Sequence, residues 1–340
     1  MNLSKILLKL LVVILIYTPF SSHALENDCV LLVYHRFSDD GPKSTSTSPE
    51  IFQQHLEYLK NNNYSVLPLK NVISSLQSKE SLPSNCISLT ADDGFLSIYT
   101  EAYPLLVEYQ FPMSVFVSTN PIDKKYASMM TWSQLREMAP LVDIYNHSVN
   151  HLHLVNQSAQ IIEDEILSAQ ERIATEMSTN DKFFAYPYGE FDDSSYSYLK
   201  SEGYIAFGQQ SGVASQTSDF LNIPRFSMSG PYAQMNSFSL KVKTLAMPIE
   251  SSDPRSMIFS GDLMPILNLN FSRELTSYEK SNFSCYVSGQ DKANLKWDGL
   301  QSVSIWPNEP LAIGRSRYNC TMPYKEAGRY YWFSKLWLRL

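Results

Sequence analysis

Basic residues are scarce in this chain. Its 340 residues include 27 Lys and Arg against 34 Asp and Glu, a formal net charge of −7, with no Lys/Arg run. A chain of this charge is poorly suited to bind nucleic acid or an anionic lipid surface. Low-complexity tracts and internal repeats are also absent, and 44% of the residues are hydrophobic. We therefore expect a globular protein of roughly two domains, at ~150 residues each, with a neutral or cationic partner and no nucleic acid.

Long apolar runs are limited to one, near the N-terminus. Residues 1–24 contain Lys5 and Lys9, then the run LLVVILIY, then small residues at 22–24, which is the layout of a cleavable secretory signal. An uncleaved anchor is the alternative, although the run is short for the ~20 residues of a spanning helix. We expect cleavage near Leu25, no stable transmembrane anchor, and a secreted or periplasmic protein. Loss of both lysines would change the formal charge from −7 to −9.

Cysteines are few, and none lies in a C-x-x-C pair. In an oxidising compartment, four such cysteines favour two disulfides over a metal site. Cys29 and Cys86 each precede a predicted strand, and strands that begin at the same end of a parallel sheet can be bridged there. Cys285 and Cys320 both lie in the C-terminal part. We expect the pairs Cys29–Cys86 and Cys285–Cys320.

The hydrophobic periodicity changes once along the chain. From residue 29 to about 226, apolar runs such as VLLVYH and ISLTAD alternate with helical patterns such as SPEIFQQHLEYLKNNN. This alternation predicts crossover connections and a parallel sheet, open or closed into a barrel. From about residue 237, period-two runs such as SFSLKVKTLAMPI and NFSCYVSG predict a small antiparallel β sandwich without helices. We expect an α/β domain over 25–230, a linker near 230–235 and an all-β domain over 235–340.

Two polar clusters fall at the ends of predicted strands, where α/β folds place their chemistry. Asp92 and Asp93 end ISLTADD, and adjacent carboxylates need a cation or a proton. His147, His151 and His153 are three of the five histidines outside residues 1–24. A spacing of four would place two rings on one side of a helical turn, and imidazole with carboxylate suits zinc or a similar ion. We expect a metal site; a polar loop facing a carboxylate is the alternative for the histidines alone.

A third strand-like run ends in the turn Pro187-Tyr188-Gly189. Backbone N–H groups of such a turn are suited to hold an oxyanion if they face the same end of the sheet. PYG by itself is only a turn signal, because Pro and Gly are ordinary turn residues. Its position after a predicted strand makes the turn a candidate part of the site.

Three segments in this order, TADDG at 90–94, HSVNH at 147–151 and YPYG at 186–189, resemble the successive motifs of the polysaccharide deacetylase (NodB-homology) family of carbohydrate esterases. The opening VLLVYHRF is most similar to exported members that act on poly-N-acetylglucosamine. The resemblance covers about 29–225 and implies a distorted (β/α) barrel. It also implies a metal-dependent hydrolase that removes acetyl groups from N-acetylglucosamine units of an exported or cell-surface polysaccharide.

The resemblance also implies residue roles. Asp92 would be the catalytic base, and the backbone N–H of Tyr188 would share the oxyanion with the metal. Pro187 and Gly189 would complete the turn at the substrate. The implied metal ligands are Asp93, His147 and His151. Zinc is the first expectation, and cobalt, nickel and iron suit the same ligands.

Departures from the family pattern leave two positions open. Ala185 stands where an arginine often lies, so the group that orients Asp92 must come from elsewhere, and the late leucine-x-histidine motif that supplies the general acid is absent. Arg225 is a candidate to orient Asp92 or bind substrate, with a buried structural salt bridge as the alternative. His35, at the end of the first strand, is a candidate proton donor or substrate contact, with a core histidine as the alternative.

Because of these departures, a catalytically silent carbohydrate-binding protein on the same barrel is the second hypothesis. His55 and His153 are expected to be structural. For the C-terminal domain, the sequence leaves open carbohydrate binding, binding to a partner in a cell-envelope export complex, and capping of the barrel.

Overall fold

The structure is a computed structural model that describes residues 25–326 and 328–340. The predicted signal segment, residues 1–24, lies outside the described residues and stays a prediction. Within the described part of the chain, no helix is both long and apolar enough to cross a bilayer.

Short strands and helices alternate through the N-terminal domain. The strands are β1 Leu25–Glu26, β2 Asp28–Tyr34, β3 Arg36–Phe37, β4 Ser46–Thr47, β5 Ser65–Val66, β6 Leu82–Pro83, β7 Cys86–Asp93, β8 Met113–Val117, β9 Val142–Asn146, β10 Phe183–Ala185, β11 Ile205–Phe207, β12 Ala214–Ser215 and β13 Phe226–Ser227. The α-helices are α1 Pro49–Asn61, α2 Leu69–Ser78, α3 Tyr103–Tyr109, α4 Thr119–Asp123, α5 Trp132–Met138, α6 Ala159–Met177, α7 Asp193–Ser201 and α8 Met235–Lys241. Single turns of other helix types lie at Ile98–Ala102, Pro187–Gly189 and Gly230–Ala233.

The central sheet has the strand order β11-β10-β9-β8-β7-β2-β12, with β5 also paired to β7 and β13 to β2. Its pairings are parallel except that of β12 with β2. Strands β2, β7 and β8 are buried along nearly their whole length, as expected where a parallel sheet is covered on both faces. This curved sheet with its helices confirms the expected distorted (β/α) barrel.

Local signals in the sequence explain where the helices begin. Helix α1 starts after Ser48, whose Oγ accepts a hydrogen bond from the N–H of Ile51 at 3.1 Å, and Pro49 occupies the first turn. A serine cap and a first-turn proline are both favourable there. The helix buries Phe52 and Leu56 completely against the barrel.

The C-terminal domain is built from two β sheets. Its strands are β14 Leu245–Ala246, β15 Ile249–Asp253, β16 Ile258–Phe259, β17 Leu267–Phe271, β18 Ser284–Val287, β19 Asn294–Asp298, β20 Ser302–Trp306, β21 Gly314–Pro323 and β22 Tyr330–Arg339, with helix α9 at Ser277–Asn282. One sheet has the order β14-β22-β21-β18, with β16 beside β22, and the other β15-β17-β20-β19. Leu267, Ile305, Tyr318 and Trp337 are buried in one apolar cluster. The expected β-rich domain is present.

Residues 235–241 depart from the prediction. The strand predicted for SFSLKVKTLAMPI is wrong at its start, because this segment forms helix α8, and α9 shows that the C-terminal part also contains a helix. Phe238 of α8 is fully buried and its ring stacks on His55 with centroids 3.8 Å apart. We therefore propose that the barrel domain extends past residue 230 to the end of α8.

His55 itself has a packing role. It is fully buried, its Nε2 lies 2.6 Å from the carbonyl of Ala233, and its Nδ1 lies 2.9 Å from the hydroxyl of Tyr34. Burial lowers the pKa of His55 to about 4. A neutral ring that donates to the carbonyl and accepts from the tyrosine satisfies both contacts.

Both expected disulfides are present. Cys29–Cys86 joins β2 to the neighbouring parallel strand β7, and Cys285–Cys320 joins β18 to β21. No free cysteine occurs in the described residues.

Candidate active site

The carboxyl ends of β7 and β9 bring three potential metal ligands together. Asp93 is the last residue of β7, and His147 follows β9 directly. Oδ1 of Asp93 lies 3.3 Å from Nε2 of His147 and 3.2 Å from Nε2 of His151. One ligand atom from each residue lies within 4.8 Å of the other two. A set of one carboxylate and two imidazoles suits a divalent ion, with a further position left for water or substrate.

The loop that carries the two histidines is not the helical turn that their spacing predicted. Ser148 and His151 both have left-handed backbone angles, with φ of 70° and 58°. The side chain of Asn146 accepts from the N–H of Ser148 at 2.8 Å, and the Ser148 hydroxyl accepts from the N–H of His151 at 2.9 Å. The helical premise is therefore wrong, although the structure does bring both rings to one place.

The buried polar atoms of this cluster fit a bound cation. Nδ1 of His147 lies 2.8 Å from the carbonyl of Ala185, so this nitrogen carries the proton and Nε2 presents a lone pair. Nε2 of His147 and Oδ1 of Asp93 are buried and lack a hydrogen-bond partner among the described residues. Burial alone would lower the pKa of His147, but the neighbouring Asp93 carboxylate outweighs it and raises that pKa. Two acceptor atoms that face each other in this way are arranged as metal ligands are.

Asp92 points to a different partner from Asp93. Arg225 lies just before β13, and its two terminal nitrogens donate to the two oxygens of Asp92 at 2.7 and 2.8 Å. Both side chains are fully buried. Burial raises the pKa of Asp92, but the charge of Arg225 outweighs this effect and holds the pKa below its usual value. Asp92 is therefore an ionised carboxylate held in one orientation.

Arg225 is itself held on several sides. Its Nε donates to the carbonyl of Gly208 at 3.0 Å, and Nη1 also donates to Oγ1 of Thr90 at 3.2 Å. The guanidinium lies 5.3 Å from the ring centroid of Phe116 and 6.0 Å from that of Phe207. Because the arginine is inaccessible to solvent, its geometry favours orientation of Asp92 over contact with substrate.

His35 lies directly after β2, with 9% of the residue exposed. Its Nδ1 is buried and has no hydrogen-bond partner in the described part of the chain. Burial lowers the pKa of His35 against the opposing influence of Asp92 and Asp93. The ring is thus a neutral imidazole with one free nitrogen beside the two carboxylates.

The turn Pro187–Gly189 lies beside the histidines. Tyr188 has left-handed backbone angles, φ 61° and ψ 1°, and its ring meets that of His151 edge-on with centroids 4.5 Å apart. A Cβ on Gly189, whose φ is 70°, would come within 2.8 Å of the backbone of Gln209. Only glycine fits there without a shift of the neighbouring chain.

Three residues beside this turn were not expected in the site. His153, expected to be structural, stacks flat on the Tyr188 ring with centroids 3.8 Å apart, and its Nδ1 lies 2.7 Å from Glu190 Oε2. Arg315, from the C-terminal domain, donates to the carbonyl of Tyr188 at 2.9 Å. The position of Glu190 directly after the turn is a weak sequence signal that it belongs to the site. No local sequence pattern indicates that Arg315, 127 positions from Tyr188, also contacts the turn.

Comparison with known proteins gives consistent matches. The family model described as polysaccharide deacetylase matches residues 79–207. Poly-beta-1,6-N-acetyl-D-glucosamine N-deacetylase of Staphylococcus aureus is 26% identical over 236 residues, which cover 60% of this chain and 80% of that protein. The protein of the same name from Escherichia coli K12 is 24% identical over 246 residues, which cover 59% of this chain but 36% of that protein.

The fold has a match among solved structures. The Streptococcus pyogenes deacetylase PplD in complex with acetate aligns with a TM-score of 0.59 and 24% identity, over 63% of this chain and 98% of that one. The family match begins after His35 and ends before Arg225. The resemblance that the three motifs indicated is therefore confirmed: residues 79–207 of the barrel match the polysaccharide deacetylase family model.

Proposed function

We propose that this chain is a metal-dependent N-deacetylase that removes acetyl groups from N-acetylglucosamine units of an exported or cell-surface polysaccharide and releases acetate. One observation carries the proposal: three candidate metal ligands and a separate, fully buried aspartate held by Arg225 lie at the same end of the barrel. Relatives named as poly-N-acetylglucosamine deacetylases support this substrate class.

The residues divide the work of amide hydrolysis. Asp93, His147 and His151 would hold the ion, which when bound polarises a carbonyl and acidifies a water. Asp92, ionised and fixed by Arg225, takes the proton of the attacking water. The N–H of Tyr188 donates to the carbonyl oxygen as it gains negative charge. Cleavage of the amide C–N bond then gives acetate and a free amine on the sugar.

His35 is assigned to proton delivery at the leaving nitrogen, for which the neutral ring must first take up a proton, such as the one that Asp92 removes from the attacking water. Support comes from its free, buried Nδ1 and its position beside both carboxylates. Glutamine at this position keeps a hydrogen-bonding group but cannot carry an acidic proton. His35→Gln should therefore lower kcat by about 100-fold, within the range for a lost general acid. If His35→Gln keeps the wild-type rate, His35 only contacts the substrate.

Zinc is the metal that we propose first, ahead of cobalt, nickel and iron. Two disulfides in the described residues support an oxidising compartment, and we propose a secreted or periplasmic location. A partner in a cell-envelope export complex is a further proposal, for which the C-terminal domain offers the surface.

The decisive assay is acetate release from N-acetylglucosamine oligomers by the metal-loaded protein. Asp92→Asn should lose about 10²- to 10⁴-fold in kcat, the usual contribution of a general base. Asp143→Asn is the matched control, because Asp143 lies on β9 outside the metal cluster and should leave the rate unchanged. A metal-loaded wild type that releases no acetate from any acetylated glycan would contradict the proposal.

The silent binding protein is the outcome if oligomers bind but no acetate forms. Its motivation was in part the missing arginine at position 185. The guanidinium of Arg225 donates to both carboxylate oxygens of Asp92, so an arginine is available to orient the proposed base. This contact favours the enzyme over the binding protein.

A further inference from the structure

One side chain of the C-terminal domain reaches the turn that carries Tyr188. Arg315 is the second residue of β21, and its side chain is 39% exposed. Its Nη1 donates to the carbonyl oxygen of Tyr188 at 2.9 Å, while its Nε lies 3.4 Å from Oε1 of Glu190. A planar guanidinium can hold a carbonyl and a carboxylate at once, which a lysine ammonium does less well. The β domain thus contacts the barrel at both sides of Gly189.

The turn needs such support because its backbone is unfavourable. Tyr188 has a left-handed conformation, which is unfavourable for a non-glycine residue. The chain packs tightly below it, since the N–H of Gly189 donates to the carbonyl of Tyr186 at 2.9 Å and Gly189 lies against Gln209. A conformation of this kind persists only when its surroundings fix it. Arg315 contributes to this by its hydrogen bond to the carbonyl of Tyr188.

Glu190 links Arg315 to a second residue that contacts Tyr188, His153. Its side chain is 6% exposed and lies between Arg315 and His153, with Oε2 2.7 Å from His153 Nδ1. The His153 ring stacks on the ring of Tyr188, and the guanidinium of Arg315 lies 5.9 Å from the centroid of that same ring. Arg315, Glu190 and His153 therefore form a connected set of side chains around Tyr188.

We propose that Arg315 is a positioning residue for the deacetylation reaction, through which the C-terminal domain fixes the oxyanion-binding turn. The N–H and the carbonyl of Tyr188 flank one Cα, so holding the carbonyl restricts rotation of the N–H away from the developing oxyanion. The inference rests on the proposed function. It gives the β domain a part in catalysis in addition to covering the barrel.

Kinetics provide the first test. In Arg315→Met, kcat should fall about 10- to 100-fold, because small displacements of a catalytic group have effects of this size. KM should change by less than about threefold, since substrate binding does not need the oxyanion contact. Arg315→Lys should be intermediate because an ammonium keeps the charge but not the two-point contact. An unchanged kcat in Arg315→Met would overturn the positioning role.

Arg255→Met is the matched control. Arg255 also lies in the C-terminal part and pairs with an aspartate of the barrel, Asp193, at 3.0 Å, but it does not contact the turn. Its loss also removes an arginine–carboxylate pair across the same two domains, and this pair is the more exposed of the two. We expect kcat of this variant to equal that of the wild type and both variants to have similar melting temperatures.

Hydrogen exchange separates this inference from the proposed function. Amide exchange in a peptide covering residues 183–192 should be faster in Arg315→Met than in wild type or Arg255→Met, with no substrate present. If the exchange rate in Arg315→Met equals that of the wild type, Arg315 does not support the turn, whatever the activity of the variant. If the wild type releases no acetate while exchange still rises in Arg315→Met, the proposed function fails and the support of the turn by Arg315 stands. If exchange rises but kcat of an active enzyme does not change, Arg315 holds the turn without affecting catalysis and the proposal is wrong.

Discussion

Replacement of Arg225 by methionine tests how much the protein depends on one buried ion pair. Asp92 and Arg225 are both fully buried and share two hydrogen bonds of 2.7 and 2.8 Å. Removal of one member leaves a buried charge without a partner, which costs about 3–5 kcal/mol. At about 2–4 °C per kcal/mol for a domain of this size, Tm should fall by roughly 6–20 °C. Thr90 and Gly208 also lose a donor.

The double variant Asp92→Asn/Arg225→Met separates charge from packing. It removes both charges, so it should be less destabilised than the sum of the two single changes, by about 2 kcal/mol. Activity should follow a different pattern. Arg225 acts only through Asp92, so the double variant should be no less active than Asp92→Asn alone.

Thermal unfolding followed by circular dichroism, with acetate release measured well below Tm, gives both quantities. Lys70→Met is the control, because Lys70 pairs with Asp181 at 2.9 Å but is 57% exposed. Loss of such a surface pair should cost at most about 1 kcal/mol. The reasoning is refuted if Arg225→Met melts within 2 °C of this control, or if the double variant is markedly less active than Asp92→Asn.

Three further changes have defined outcomes. His151→Ala removes a proposed ligand and should weaken metal binding by more than the roughly 10- to 100-fold seen for groups behind a ligand; equal affinity in a chelator competition would exclude His151 as a ligand. Loss of the disulfide between Cys29 and Cys86, 57 positions apart, should lower the free energy of unfolding by about 4 kcal/mol in urea titrations; a loss below about 1 kcal/mol would contradict loop closure as its main effect. Burial lowers the pKa of Lys241 to about 7, whereas the pKa in the unfolded chain is about 10.4. Between these two values the unfolded chain binds one proton more than the folded protein. The cost of burying a charged Lys241 is therefore complete below pH 7 and decreases as pH rises. From pH 7 to pH 9 the wild type should therefore gain stability relative to Lys241→Met; parallel curves would show that Lys241 is not desolvated.

The grouping of the candidate metal ligands could be predicted because strand ends carry positional information. Parallel strands of one sheet have their carboxyl ends at the same edge, so the sequence predicts that Asp93 and His147 lie close together. The detailed reason given for the histidines was wrong, since Ser148 and His151 bend the chain through left-handed angles and no helix forms. The residue types and their order indicated the chemistry, while the loop conformation depended on contacts with Asn146.

Helix α8 shows why local periodicity misled at the domain boundary. SFSLKVK alternates with period two, but Met235, Phe238 and Val242 also have the spacing of a helix face. Short apolar patterns of this kind fit both structures, and tertiary packing decides between them. Here the decision rests on Phe238, which is buried against His55 in the barrel.

Contacts between distant parts of the chain leave no local signal. Arg225 lies 133 positions from Asp92, and Arg315 lies 127 positions from Tyr188. Neither arginine has neighbours in sequence that distinguish a buried or bridging role from an ordinary surface charge. The missing family arginine at position 185 pointed to Arg225 as a replacement. No missing residue pointed to Arg315.

The missing arginine and the buried one are linked by packing. Ala185 is fully buried in the same apolar cluster as Phe116 and Phe207, the two rings that flank the guanidinium of Arg225. Its carbonyl accepts from His147, so the backbone of β10 still contacts the candidate metal site although the side chain of Ala185 does not orient Asp92. The small side chain of Ala185 and the long side chain of Arg225 therefore pack around the same two aromatic rings. The guanidinium that Asp92 requires enters from the segment before β13, beside β2, and the space on β10 is left to aromatic packing around it.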